Sequence, residues 1–472
     1  MTTKRLQISI LNSRPFHAIL TAATLLLLPL TVFCGEPPQK ILSLQESVSI
    51  ALDNASSLKK ASNLVRLEGA DVLRSYGGFL PRLSVSAGYV PYSVSRSYTQ
   101  NSTQETVKLK NEQETLNLTL TTSLNLFNGF RDYAALQAAL KNEQGAGFSL
   151  FRARQAVVFD VTQSYYQVLL NEEILAIARE NLLTAKDQLT LTERQFQIGL
   201  KSMPDLYQQQ AETASSELAV NQADAQLERS RLELLRRLRI DPRTKLLLEP
   251  VSKETLSPEP LKTGIDSLIA QALLRRDDLK SKKLETDAAG WQIRQATASW
   301  YPKLDLNFNV STSGVESLRQ TYSGNSFNYA YPPLGEQLEN SIGYSVSLNF
   351  SWALFDGFQT RYNVEQAKIN QINQRLDYED LHSDIALDLQ QAVTDYSAAF
   401  TRIESAKAGL KAAKSAYESI KRKYDLGASG FIELSSARTA LFSAMSTLSQ
   451  ATYNLALQKN VLDFTSGTLS TR

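Results

Sequence analysis

An internal duplication constrains this chain more than any single motif does. Phe79-Leu80-Pro81-Arg82-Leu83 returns as Trp300-Tyr301-Pro302-Lys303-Leu304, and Leu126-Phe127-Asn128-Gly129-Phe130 returns as Leu354-Phe355-Asp356-Gly357-Phe358. In the same order, Phe196-Gln197-Ile198-Gly199-Leu200 is answered by Tyr424-Asp425-Leu426-Gly427-Ala428. The last two motifs share one numbering offset, 228, and the first has an offset of 221, so the second half gained a short insertion in a span where a loop absorbs it. Duplicated halves of this kind predict a repeat architecture.

Between the Gly129 motif and Pro204 there is no proline, and after Gly357 there is none to the C-terminus. The spans 129–200 and 357–427 therefore predict helices of roughly 70 residues, about 105 Å at 1.5 Å per residue. A helix so long needs a lengthwise partner, and the heptad pattern supplies the surface. Leu389, Tyr396, Ile403, Leu410, Tyr417 and Tyr424 fall seven apart, with Ala392, Ala399, Ala406, Ala413 and Ile420 three positions behind them. Moved back by 228, the rows become Val161, Val168, Leu175, Leu182, Leu189, Phe196 and Ser164, Asn171, Ala178, Ala185, Thr192. Alternating large and small layers make a coiled-coil seam that allows close approach. Shorter helical patterns cover about 43–77, 204–239, 264–299 and 431–464, each roughly half a long helix, so two stacked end to end match one long one. The repeats occupy 36–240 and 264–472, separated by a Pro-rich segment, 241–263, carrying Pro242, Pro250, Pro258 and Pro260.

Each half also holds two segments of period two, within about 83–127 and 303–355. Leu83/Val85/Ala87/Tyr89 and Leu116/Leu118/Leu120 alternate with polar residues in the first, as do Leu304/Leu306/Phe308/Val310 and Tyr344/Val346/Leu348/Phe350/Trp352 in the second. An apolar face and a polar face about ten residues long, with aromatics at the ends, mark a transmembrane β-strand lining water. A half-buried soluble sheet has the same alternation. Four strands bury no sheet core, and they close no barrel alone, since about eight are the usual minimum.

Lys4, Arg5 and Arg14 ahead of the apolar run Ala18–Phe33 read as a secretory leader over 1–35. Cys34 stands at the cleavage region and is either removed with the leader or lipidated, although Phe33 before it is larger than lipidation prefers. Without the leader the chain carries 47 basic and 48 acidic residues, a balance that argues against a nucleic-acid partner. His382 is the lone histidine left, and no Cys/His cluster, Ser/His/Asp grouping or Gly-rich phosphate loop stands out. The expectation is therefore a chain without catalytic residues, metal or cofactor. No second apolar run is long enough for a spanning helix.

Duplicated halves, each with two strands between a short and a very long helix, resemble the TolC-like outer-membrane efflux proteins over essentially the whole mature chain. The aromatic-x-Pro-x-Leu strand starts, the Leu-Phe-[Asn/Asp]-Gly-Phe strand ends and the Gly199 and Gly427 tips carry the resemblance. It implies an α+β membrane protein, a homotrimer closing a twelve-stranded barrel in outer-membrane lipid above a periplasmic helical tunnel. It further implies an exit duct fed by an inner-membrane transporter of RND or ABC type through a periplasmic adaptor (membrane fusion protein). Ile198, Gly199, Leu200, Ser202, Leu426, Gly427, Ala428 and Ser429 match the tips that receive the adaptor; turn and capping chemistry explains the same residues. Asp205 and Tyr424 match positions that tie the tunnel's closed end, and Glu433 matches one acid of a selectivity ring. Asp205 and Glu433 also suit a first helical turn. The ring's second acid is Ser436 here and the gate arginine is Ser429, departures from the family pattern. The competing expectation is a periplasmic coiled-coil adaptor, which should show a compact β-domain and a single helical hairpin.

Overall fold

The computed structural model describes residues 40–100, 102–244, 246–252, 256, 259–261, 264–329 and 331–470. The expected leader with Cys34, and part of the 241–263 segment, lie outside these residues. In chain order the elements are β1 (Lys40–Leu42), α1 (Leu44–Asn54), α2 (Ser56–Tyr76), β2 (Arg82–Gln100), β3 (Thr106–Phe127), α3 (Arg131–Gln197), α4 (Met203–Leu238), β4 (Leu246–Leu248), α5 (Ile265–Arg275), α6 (Asp277–Thr297), β5 (Lys303–Tyr322), β6 (Asn325–Tyr329), α7 (Leu334–Asn340), β7 (Gly343–Ser351), α8 (Gln359–Asp425) and α9 (Phe431–Thr465).

The two long helices, α3 and α8, have 67 residues each, about 100 Å at 1.5 Å per residue. The chain lays its helices in four columns: α2 and α4 along α3 on one side, α6 and α9 along its other side, and α8 beyond them. The heptad seam is what these contacts cover. On α8, Leu389, Ala392, Tyr396, Ala399, Ile403, Ala406 and Tyr424 are buried, and on α3, Val161, Val168, Asn171, Leu175, Ala185 and Thr192 are. Gly145 belongs to this packing, because Ser281 of α6 approaches it closely and donates from Oγ to the Gly145 carbonyl at 2.9 Å.

Two apolar clusters form, one centred on each half, with Tyr453 and Ala456 of α9 joining the first. One gathers Leu42, Tyr165, Leu234, Leu238, Leu246 and Leu248, the other Leu279, Ile385, Leu389, Tyr396 and Leu455. The 241–263 segment is tied into both. Its strand β4 pairs in parallel with β1. The Tyr165 hydroxyl donates to the Leu42 and Glu249 carbonyls at 3.0 and 2.7 Å, and the Tyr396 hydroxyl donates to Glu259 O at 2.6 Å. Burial pushes the Tyr165 phenol up to about 12, which keeps it a donor.

The helical patterns at 43–77 and 264–299 are each divided, at Ala55 and Arg276, where ψ turns to 116° and 121°. The two breaks are separated by the same offset as the two aromatic-Pro motifs, so the duplication includes the kink as well as the motifs. Neither site carries Pro or Gly, the usual sequence marks of a break.

The strand ends are built alike in both halves. Gly129 and Phe130 have φ of 67° and 64°, Gly357 and Phe358 have 66° and 69°. In each turn the flanking phenylalanines meet edge-on, Phe127 with Phe130 and Phe355 with Phe358, both at 5.5 Å between ring centres. Two consecutive left-handed residues reverse the chain from strand to helix, and the ring pair holds the turn. At Gly129 a Cβ would stand 2.6 Å from the Ala298 carbonyl oxygen, so Gly also permits the first strand end to touch the second strand start.

The large sheet is antiparallel in the order β2-β3-β5, with β7 and β6 along the remaining edge of β5. Strands of 19, 22 and 20 residues outrun the alternating segments that announce them. The apolar alternation fills only the half nearest the helices; the far half carries Arg96, Lys108, Lys110, Glu112 and Arg319. The fourth strand is interrupted, because α7 falls between β6 and β7. There the Gln337 side chain stands in for a strand, accepting from Val315 N at 2.9 Å and donating to Val315 O at 2.8 Å. Gly314 gives α7 room, since a Cβ at that position would come within 2.6 Å of Leu334. No helix among the described residues is long and apolar enough to cross a membrane.

Candidate functional site

The end of the helical columns away from the sheet is formed by two turns related by the duplication. In the first, Gly199 (φ 77°) donates its N–H to Phe196 O at 2.9 Å and Leu200 donates to Gln195 O at 2.8 Å. In the second, Gly427 (φ 73°) donates to Tyr424 O at 3.0 Å and Ala428 to Lys423 O at 2.8 Å. This paired 5→2 and 6→1 bonding satisfies the last carbonyls of α3 and α8 and requires a left-handed residue, which Gly supplies without strain. The turns leave apolar side chains pointing outward: Ile198, Leu200 and Leu426 are 71%, 70% and 85% exposed.

The next helix starts differently in each half. Ser202 caps α4 with a reciprocal bond pair, Ser202 N donating to Asp205 Oδ2 at 3.0 Å and Asp205 N to Ser202 Oγ at 3.4 Å. Those Ser202 donors, with Lys201 nearby, hold the Asp205 carboxyl below its ordinary range. Gly430 takes the cap position of α9 and offers no side chain, while the Ser429 hydroxyl donates to the exposed Glu433 carboxylate in the first turn. Ser436 is exposed beside it.

Tyr424 is buried where α8 leans on the first half. Gln188 Nε2 of α3 donates to its hydroxyl at 3.4 Å, and Lys201 Nζ lies 4.6 Å from its ring centre. Asp205 and Tyr424 are thus brought to one end of the columns, each engaged by other residues, with no hydrogen bond between them in this chain. Lys201 and Gln188 are members of the cluster that sequence reading did not single out, and no signal for them exists in a linear pattern. Arg438 of α9, also unforeseen, is buried beside Glu212 of α4 at 2.8 Å and links the two halves just behind the tips. No group of three or more potential metal ligands occurs among the described residues.

Comparison with known proteins places this geometry in context. The family model described as outer membrane efflux protein matches residues 47–238 and 268–468, one match per half. Outer membrane protein TolC of Escherichia coli K12 is 24% identical over 74% of this chain and 69% of its own length. Protein CyaE of Bordetella pertussis is 25% identical over 87% of this chain and 81% of its own. Among solved structures, the CmeC outer membrane channel of Campylobacter jejuni superposes with a TM-score of 0.76 at 19% identity, covering 90% of this chain and 85% of that one.

Proposed function

The chain belongs to the outer membrane efflux protein family, and from that premise we propose that it is the exit duct of an export system. In this reading it is a homotrimer, whose three sheets close one twelve-stranded barrel above a tunnel of helical columns. The observation that carries the reading is a pair of unmatched flanks. Within one chain, α3 of the first half lies against α6 of the second. The corresponding pair, α8 of the second half and α2 of the first, stands at opposite edges and exposes Ile369, Ile372 and Leu376 on one side and Leu64, Leu67 and Leu73 on the other. A further copy turned about a common axis supplies each flank with its partner.

The sheet repeats the argument. β2 at one end and β6/β7 at the other each have a free edge, and free edges are costly in lipid. Leu83, Val85, Tyr89, Tyr344, Val346, Leu348 and Phe350 form an exposed apolar face that lipid would cover, leaving the Ser/Thr/Asn face to line water. A periplasmic adaptor would pack on the exposed Ile198, Leu200 and Leu426 around Gly199 and Gly427, with Ser202, Ala428 and Ser429 at the rim, and an RND or ABC transporter would load the tunnel. Asp205, Tyr424 and Glu433 would form the gate, and Lys201 would add the cation that Ser429 lacks. The alternative of a periplasmic adaptor is overturned by the family match across both halves.

In planar bilayers the purified protein should form ion-conducting pores, and Lys201→Met with Tyr424→Phe should raise their conductance. One hydrogen bond and one half-buried cation–π contact contribute about 0.5–1.5 and 0.5–2 kcal/mol, a shallow barrier that two substitutions remove. Failure of wild type and variant alike to conduct would sink the duct reading.

A further inference from the structure

The polar face of the sheet meets the helix ends around a cavity of about 680 Å³. Strand register builds its wall. Arg82 of β2 pairs with Ser123 of β3, Ser123 with Asn307 of β5, and Asp305 with both Asn125 and Asn349. These residues alternate with the apolar set, so all of them and Lys303 stand on one face. Arg74 of α2 and Arg131 and Asp132 of α3 close the cavity from the helical side.

Four cations line this space against two carboxylates. Arg74 forms an ion pair with Asp71, which lies outside the lining, and Asp305 accepts from Asn125 Nδ2 at 2.7 Å. Among the described residues, Arg82, Arg131 and Lys303 have no carboxylate within ion-pair distance. The remaining lining is mostly Asn, Ser and Gly, which solvate charge without neutralising it. Arg82 and Lys303 follow the proline in the two aromatic-Pro motifs, so the duplication places an unpaired cation at both strand starts.

The geometry points to an anion-attracting collar at the base of the barrel, which draws chloride and carboxylate- or phosphate-bearing solutes toward the exit. This rests on the duct reading, because only closure of the sheets turns the polar face into a lumen. Three copies then set a ring of Arg82 and Lys303 around a water-filled waist with low-dielectric walls. Such a geometry focuses the field of like charges, and it does so over distances comparable to the screening length of about 8 Å.

The test is the reversal potential of single channels in a potassium chloride gradient. R82Q/K303Q should shift it toward the potassium potential, and R82E/K303E should shift it further in the same direction. Both positions are exposed, so trimer formation in detergent serves as the control for assembly. Channels that conduct with an unchanged reversal potential in both variants would overturn the collar while leaving the duct intact. Absence of conductance from the wild type would overturn both.

Discussion

Asp205 spends its carboxylate on the start of α4, where Ser202 supplies a hydroxyl and a backbone N–H to it. Those bonds favour the ionised form, so its folded-state pKa lies below that of the unfolded chain. The cap's contribution is then fully present above the ordinary aspartate value of about 3.9 and is lost as pH falls through the depressed one. Asp205→Ala should cost about 1 kcal/mol, read as roughly fivefold faster amide exchange over the first turn of α4 at pH 7. Wild type and variant should converge at acid pH, and a difference that persists at pH 2 would assign the cap's strength to other groups. The turn glycines and this cap were legible in the sequence because they act on their own neighbours. The packing of Tyr424 against Gln188 and Lys201 was not, since those partners belong to the other half of the chain and only the fold brings them together.

Elements divide the same way. A proline-free run with a sustained heptad announces α3 and α8, and strict alternation announces the helix-proximal half of each strand. The breaks at Ala55 and Arg276 carry no Pro or Gly, only the weaker starts Ser56-Ser57 and Asp277-Asp278, and β1 and β4, at three residues each, are too short to show a period. The interruption of the fourth strand by α7 is marked in the sequence by Pro332-Pro333, which end strand pairing and precede the helix, whereas the role of Gln337 is not, because it acts through a side-chain amide on Val315. Alternation in β7 makes a direct prediction. Leu348 is 61% exposed on the apolar face opposite Leu306, while Asn349 faces Asp305 on the polar side. Leu348→Arg should cost roughly 2–4 kcal/mol at mid-membrane and block assembly into the outer membrane, whereas Asn349→Arg should assemble normally. Equal behaviour of the two variants, scored by heat-modifiable migration of outer-membrane fractions, would reject the assigned faces.

At the scale of the whole molecule the chain is a repeat that stops short of closing on itself. Its internal junction between halves, α3 on α6, covers the surfaces whose counterparts on α2 and α8 stay open, and its sheet ends in two free edges. In the proposed homotrimer, further copies of the chain would complete both sets of contacts at once, which would tie barrel closure and tunnel closure to one assembly event. Three copies would bring twelve strands together, beyond the roughly eight at which side chains fill a barrel. Native mass spectrometry of the protein released from detergent tests this most directly. A complex of three mature chains and no stable folded monomer is expected; a monomer or dimer that persists across mild detergents would contradict the trimeric duct.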